Sequence, residues 1–247
     1  MKRTLLRFFV LLIILPGAVI SALWSMEQSG FFQIDHIEIA LQEVPTQPQF
    51  LQPFLLDFEK QVEAYRGQSL WQVDLYKMSK ELSKLEWIED ISFSRRWPSK
   101  LKILLKPKQV YFVLLGKGGK LLPVIENGQL LPAVESKQAP DVPLLQSEVF
   151  NQDSELRKKA VTVLKEISED GNFSRKTISE VHFDKREGFW MTLIQSGIRV
   201  NLGDDRIALK SARVSQVLDY MEAKSFSPRV IDANLSKKVL VRLRKDP

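Results

Sequence analysis

The feature that most constrains this chain is the run from Leu5 to Trp24, apolar except for Arg7, the Pro16-Gly17 pair and Ser21. A helix of about 20 such residues, rising ~1.5 Å per residue, matches the ~30 Å hydrocarbon core of a bilayer. Lys2, Arg3 and Arg7 stand at its start, and Glu27 is the first charge beyond it. Basic residues are retained on the cytoplasmic side, so residues 1–4 read as a short cytoplasmic tail and 5–24 as a transmembrane helix, with Leu5, Leu12 and Trp24 among the anchoring residues. The same charged start and apolar run also fit a cleaved signal peptide. No small-x-small site precedes a polar start, and Leu23-Trp24 has the character of an interfacial anchor. Either way, the chain beyond Trp24 is expected outside the cytoplasm.

The remainder has the composition of a protein that folds in water, with 44% hydrophobic and 27% charged residues over 247 positions. The formal charge of +6 is small for a surface of this size, and Lys237-Lys238 and Arg242 to Lys245 lack interleaved aromatics, so nucleic acid is not the expected partner. Cysteine is absent, which removes disulfides, thiol catalysis and thiolate metal sites.

Hydrophobic periodicity divides the exported part in two. Between Phe31 and Pro107 the order is strand, helix, helix, strand, strand. The first strand is expected over Gln33 to Ala40. Phe54, Phe58, Val62 and Tyr65 recur at helical spacing, and Asp74 is placed to cap a second helix whose stripe is Leu75, Met78, Leu82 and Leu85. Ile91, Phe93 and Trp97 share a strand face, Pro98-Ser99 turns the chain, and Leu101, Ile103 and Leu105 alternate with Lys100, Lys102 and Lys106. This pattern gives residues 31–107 a three-stranded sheet covered by two helices. Residues 108–247 read as a second, β-rich α+β domain. Its strands are expected near 109–115, 120–125, 178–184, 189–194, 198–202, 230–232 and 239–244. One helix runs through Leu156 to Ile167, and a second through Ile207 to Met221 with Asp204 or Asp205 as its cap.

Catalytic groups are hard to find. The only histidines, His36 and His182, fall in predicted strands of different halves, which argues against a shared metal site. Gly116 to Lys120 has the glycines of a phosphate loop, but no Ser or Thr follows Lys120 and no helix opens there, so it reads as a hairpin turn. Glu89-Asp90, Glu169-Asp170 and Asp204-Asp205 sit at element ends, where capping accounts for them. A non-catalytic binding protein without cofactor, metal or small-molecule ligand is the reading these residues support.

Leu85-Glu86-Trp87-Ile88, Ile91 with Phe93, Arg95-Arg96-Trp97-Pro98, and then Leu101, Ile103 and Leu105 are similar to the strand-turn-strand signature of the POTRA domain in FtsQ/DivIB proteins. Phe31 to Ile34 and Gln68-Ser69-Leu70 fit the same family in order and spacing. Leu121 to Glu126 with Gly128, Val142-Pro143-Leu144, Val200 to Gly203 with Lys210, and Ile231-Asp232 resemble its second, β-rich domain. Two stretches depart from the pattern: Lys106 to Val110, where the family usually has an acidic residue and a later proline, and Ala233-Asn234-Leu235, where it often has a Leu-Arg-Tyr-like run.

The resemblance implies a single-pass inner-membrane division protein, its bulk periplasmic or extracytoplasmic, at the septum. It would link FtsB/DivIC-like and FtsL-like partners by contact, with other septal proteins reached through the POTRA domain. Strand addition to an exposed sheet edge is the physical logic of such a contact. The partner-binding residues it implies are Leu235, Val239, Leu240, Val241, Arg242 and Leu243, with Leu240, Arg242 and Arg244 on one face of the last strand and Val239, Val241 and Leu243 on the other. The apolar set also reads as plain core. Arg95, Arg96, Trp97 and Pro98 are either a docking patch or a structural hairpin with Trp97 packed. The rivals are a POTRA-bearing envelope assembly or secretion factor, and an exported structural protein unconnected with division.

Overall fold

The computed structural model describes residues 2–42, 48–235 and 237–244, without the side chains of residues 2–13, 48, 49 and 117. Among these residues two compact units are found, one of residues 2–42 and 53–108, the other of 48–52 and 109–244.

The first unit opens with helix α1 (Lys2–Gln28), which carries the segment expected as an anchor. Side chains are described only from Ile14 on, and over the described residues no helix is long and apolar enough to cross a membrane. Leu5 and Leu12 lie among the undescribed side chains; Trp24 is exposed. After α1 come β1 (His36–Leu41), α2 (Gln52–Glu63), α3 (Leu75–Leu82), β2 (Ile88–Arg96) and β3 (Lys100–Pro107). The sheet order is β1-β3-β2, with β1 parallel and β2 antiparallel to the central β3. The period-two pattern of β3 has its expected result: Leu101, Ile103 and Leu105 are fully buried. Phe58 and Val62 of α2 and Met78 and Leu82 of α3 are buried likewise, and Trp87 packs against Phe54 and Phe58. Asp74 caps α3, accepting the Lys77 amide at 3.0 Å.

The first strand starts later than its alternation suggests. Residues 33 and 34 are claimed first by the loop before α3: the Ile34 amide donates to Gln68 O, Gly67 N donates to Ile34 O, and Gln33 bridges Ser69, while the Asp35 amide donates to Ser99 O in the turn before β3. The ladder with β3 begins only at His36.

The second unit contains β4 (Val110–Leu115), β5 (Leu121–Ile125), β6 (Leu144–Leu145), α4 (Val149–Gln152), α5 (Ser154–Lys165), β7 (Ile178–Asp184), β8 (Gly188–Leu193), β9 (Arg199–Gly203), α6 (Ile207–Ala223), β10 (Pro228–Asp232) and β11 (Leu240–Leu243). One eight-stranded sheet takes them in the order β11-β10-β9-β8-β7-β6-β4-β5. Its core is Phe112, Leu145, Val181, Met191, Val200 and Ile231 from the strands, with Phe150, Val161, Leu164 and Val214 from the helices. The 116–120 segment is a turn with Gly118 and Gly119 at positive φ, as its glycines suggest.

The cap of α6 is a correction. Arg206 occupies that position in the left-handed region, φ 49°, and makes no cap bond with its own side chain; the Ala208 amide in the first turn donates instead to the Glu166 carboxylate at 3.3 Å. Asp205 is drawn elsewhere, accepting from the Lys210 ammonium and the Arg206 guanidinium.

Candidate functional site: an open sheet edge

The two ends of the eight-stranded sheet differ. Outside β5, the chain folds back: Leu131 N donates to Pro123 O and Val134 N to Leu121 O, with bridges Leu121↔Val134 and Val124↔Leu130. Beyond β11 no strand pairs among the described residues. Its single partner is β10, antiparallel, through Asp232↔Leu240, Ile231↔Val241, Val230↔Arg242 and Pro228↔Leu243. About half of the backbone donors and acceptors of such a strand point away from its one neighbour, ready for another chain.

The side chains of this edge form a mixed surface. Val239 packs in part against the core and Val241 is half-buried. They line a ~400 Å³ groove shared with Arg213, Val217, Tyr220 and Met221 of α6. Leu240 and Leu243 are both 49% exposed, and Arg242 is exposed. The reading of Val239, Val241 and Leu243 as one core face therefore fails at Leu243. A register shift between Pro228 and Val230 ends the regular ladder there, and such bulges bend a strand and re-aim its side chains. Arg244 continues the strand, its amide donating to Ser227 O at 2.9 Å and its guanidinium to Ser196 O. Leu235 is half-buried in the bend before the edge.

The contacts that hold this edge in place are not visible in the sequence. The Lys210 ammonium, 3% exposed, donates to Leu202 O at 2.8 Å, to Asp205 and to Asn234 Oδ1 at 3.1 Å. Asn234 also donates to Glu187 O at 3.2 Å. A buried ammonium is tolerable only when its donors are used, and here all three have acceptors, so the segment leading into β11 is tied to both β9 and the turn before β8. The pull of Lys210, and then of Arg206, holds the Asp205 carboxyl below its ordinary value. Val217, Tyr220 and Met221 do recur at one-turn spacing and are the signal by which the α6 side of the groove can be found in the sequence.

Residues 95–98 lie in the other unit. Arg95 is a clasp, its guanidinium donating to Leu70 O at 2.7 Å and Val73 O at 2.9 Å. Arg96 and Pro98 are not packed into the core of that unit, and Trp97 rests on other aromatic rings without being buried. Of the histidines, His36 is exposed, while His182 stacks on Trp190 at 3.6 Å with Nε2 3.1 Å from Glu180. Among the described residues no group of three His, Asp or Glu side chains is placed to hold a metal ion.

A small module of two helices on a three-stranded sheet, and a larger unit whose sheet ends in a strand paired on one side only, describe a POTRA-bearing protein. Residues 57–106 match the POTRA domain, FtsQ-type, and residues 113–234 match Cell division protein FtsQ/DivIB, C-terminal. The chain belongs to the FtsQ/DivIB family. It is 27% identical over 183 residues to the cell division protein FtsQ of Geobacter sp. (strain M21), covering 71% of this chain and 66% of that one. Against the cell division protein FtsQ of Geotalea daltonii (strain DSM 22248 / JCM 15807 / FRC-32) the identity is 19% over the same length and coverage.

Proposed function

We propose that this chain is a non-catalytic cell-division scaffold, anchored in the inner membrane by α1 and binding FtsB/DivIC-like and FtsL-like partners along β11. The observation that carries the reading is the asymmetry of the large sheet, closed at β5 by residues 130–134 and open at β11. Strand addition supplies affinity through the backbone, and alternate side chains supply selectivity. Leu240 and Leu243 offer apolar contact on the exposed edge, Arg242 favours an acidic neighbour, and Val239 with Val241 opens on the α6 groove. Anchoring is supported by the apolar run at 5–24, continuous in sequence with a helix that reaches Gln28, and its direction by Lys2, Arg3 and Arg7 before the run against Glu27 after it.

The test is titration of the full chain, held in lipid nanodiscs, with an FtsB/FtsL-like ectodomain pair. Tight binding that weakens at least tenfold in Val241→Glu or Leu243→Glu is expected. Unchanged affinity in both variants defeats the edge reading.

A further inference from the structure

Trp71 and Trp97 are 57% and 48% exposed although their rings lie against each other with centroids 4.1 Å apart. Phe32 meets them edge-on at 5.9 and 6.0 Å, and Phe31, 46% exposed, meets Phe32 at 5.2 Å. Four rings from three stretches of sequence thus form one contiguous apolar surface, and the Arg95 clasp on Leu70 O and Val73 O fixes the loop that carries Trp71. A patch of this kind on a folded unit marks a contact with something else.

Its position says with what. The last turn of α1 is hydrogen-bonded to the same loop: the Glu27 carboxylate accepts from Ser69 Oγ at 3.3 Å and from Gln72 Nε2 at 3.0 Å, and Phe31 N donates to Met26 O at 3.0 Å. Gln72 is the neighbour of Trp71, and Glu27 lies three residues, roughly 4.5 Å of helix rise, beyond Trp24. The polar layer on each side of a bilayer is about 5–7 Å thick. With Trp24 at the edge of the hydrocarbon, the ring cluster stands in that layer, where indoles with an apolar body and one N–H donor are most stable. Arg96 and Lys100, paired across the hairpin and both exposed, give the surface a cationic rim suited to anionic headgroups.

We propose that Phe31, Trp71 and Trp97 form a second membrane contact, lodged in the headgroup layer of the bilayer that α1 crosses. This rests on the reading of α1 as an anchor. The contact fixes the tilt of the first unit against the membrane, which one helix by itself leaves free.

The full chain, reconstituted in phosphatidylcholine and phosphatidylglycerol vesicles whose acyl chains are brominated near the headgroup, tests it through tryptophan quenching. The double variant Trp71→Phe, Trp97→Phe is expected to lose at least half of the quenched emission, whereas Trp24→Phe keeps most of it. Quenching that is unchanged in the double variant and vanishes in Trp24→Phe overturns the proposal while leaving the anchor intact, the patch then facing water or a protein. Absence of quenching in the wild-type chain overturns the anchor reading and the proposal together. Because the chain has no cysteine, a nitroxide on Trp71→Cys gives an independent measure. The ratio of relaxation by oxygen to that by a nickel chelate is expected to be higher at Trp71→Cys than at an exposed site of the second unit, Tyr220→Cys, and equal ratios sink the proposal.

Discussion

At Gly203 the backbone takes φ +76°, and a Cβ there would lie 2.0 Å from Asn234 Oδ1. Left-handed backbone costs an ordinary residue ~1–2 kcal/mol, and the overlap adds to it, so Gly203→Ala should destabilise the chain by at least about 2 kcal/mol in a denaturant titration. Lys210→Met leaves the buried Leu202 O without its donor and releases Asn234 Oδ1, a loss of roughly 1–3 kcal/mol. The same ammonium depresses the Asp205 carboxyl, with Arg206 as the second cause. A carboxyl held below its unfolded value contributes stability that is complete above that value and is lost as pH falls through the lower, folded one. Stability should therefore decline on acidification below the ordinary aspartate range, and the part of that slope due to Asp205 should disappear in Asp205→Asn, as read from unfolding midpoints across an acid series. None of this is legible from the chain itself: an aspartate pair before a helix reads as a cap, and only the fold shows that Lys210, five residues on, takes the carboxylate away from the helix end.

At the β11 edge the expected strand forms over Leu240–Leu243, but its expected alternation holds only as far as Val241, because the register shift opposite Pro228 leaves Leu243 exposed. Lys120→Ala, at the turn before β5, serves as the control for the edge variants, with binding of the ectodomain pair expected to change less than twofold. Tyr220→Ala, on the α6 wall of the groove, should weaken that binding if the partner also enters the groove, with isothermal calorimetry as the readout. Most helices and strands are readable because each presents one buried face at its own period, as in Leu101, Ile103 and Leu105. β6 is not, since two residues have no period. Leu144 and Leu145 are a strand only because β4 and β7 flank them, and the residues directly before them read as a loop. The Phe31, Phe32, Trp71 and Trp97 cluster escapes for a different reason: its members lie up to 66 positions apart, and strand alternation sets Trp97 on one face with Ile91 and Phe93, whereas its ring turns to Trp71.

For the whole molecule, the decisive observation is microscopy of the full chain with an N-terminal fluorescent label, with and without residues 239–247. A midcell band that disappears on truncation is the expected result; a band that persists assigns targeting to the first unit, and uniform envelope fluorescence with normal division after depletion removes the division role. A mechanical consequence lies in the sheet itself. Between the β4–β5 pair and the five strands from β7 to β11, the only strand is β6, registered through Val113↔Leu144 and Leu114↔Leu145 on one side and Leu144↔Glu180 and Leu145↔Val181 on the other. The large sheet is thus two plates joined by a short seam, residues 143–146, where Val113 N also donates to Pro143 O and Gln146 N to Val181 O, and a load applied at its free margin would be carried to that seam, with Leu145 and the apolar layer beneath it resisting the shear.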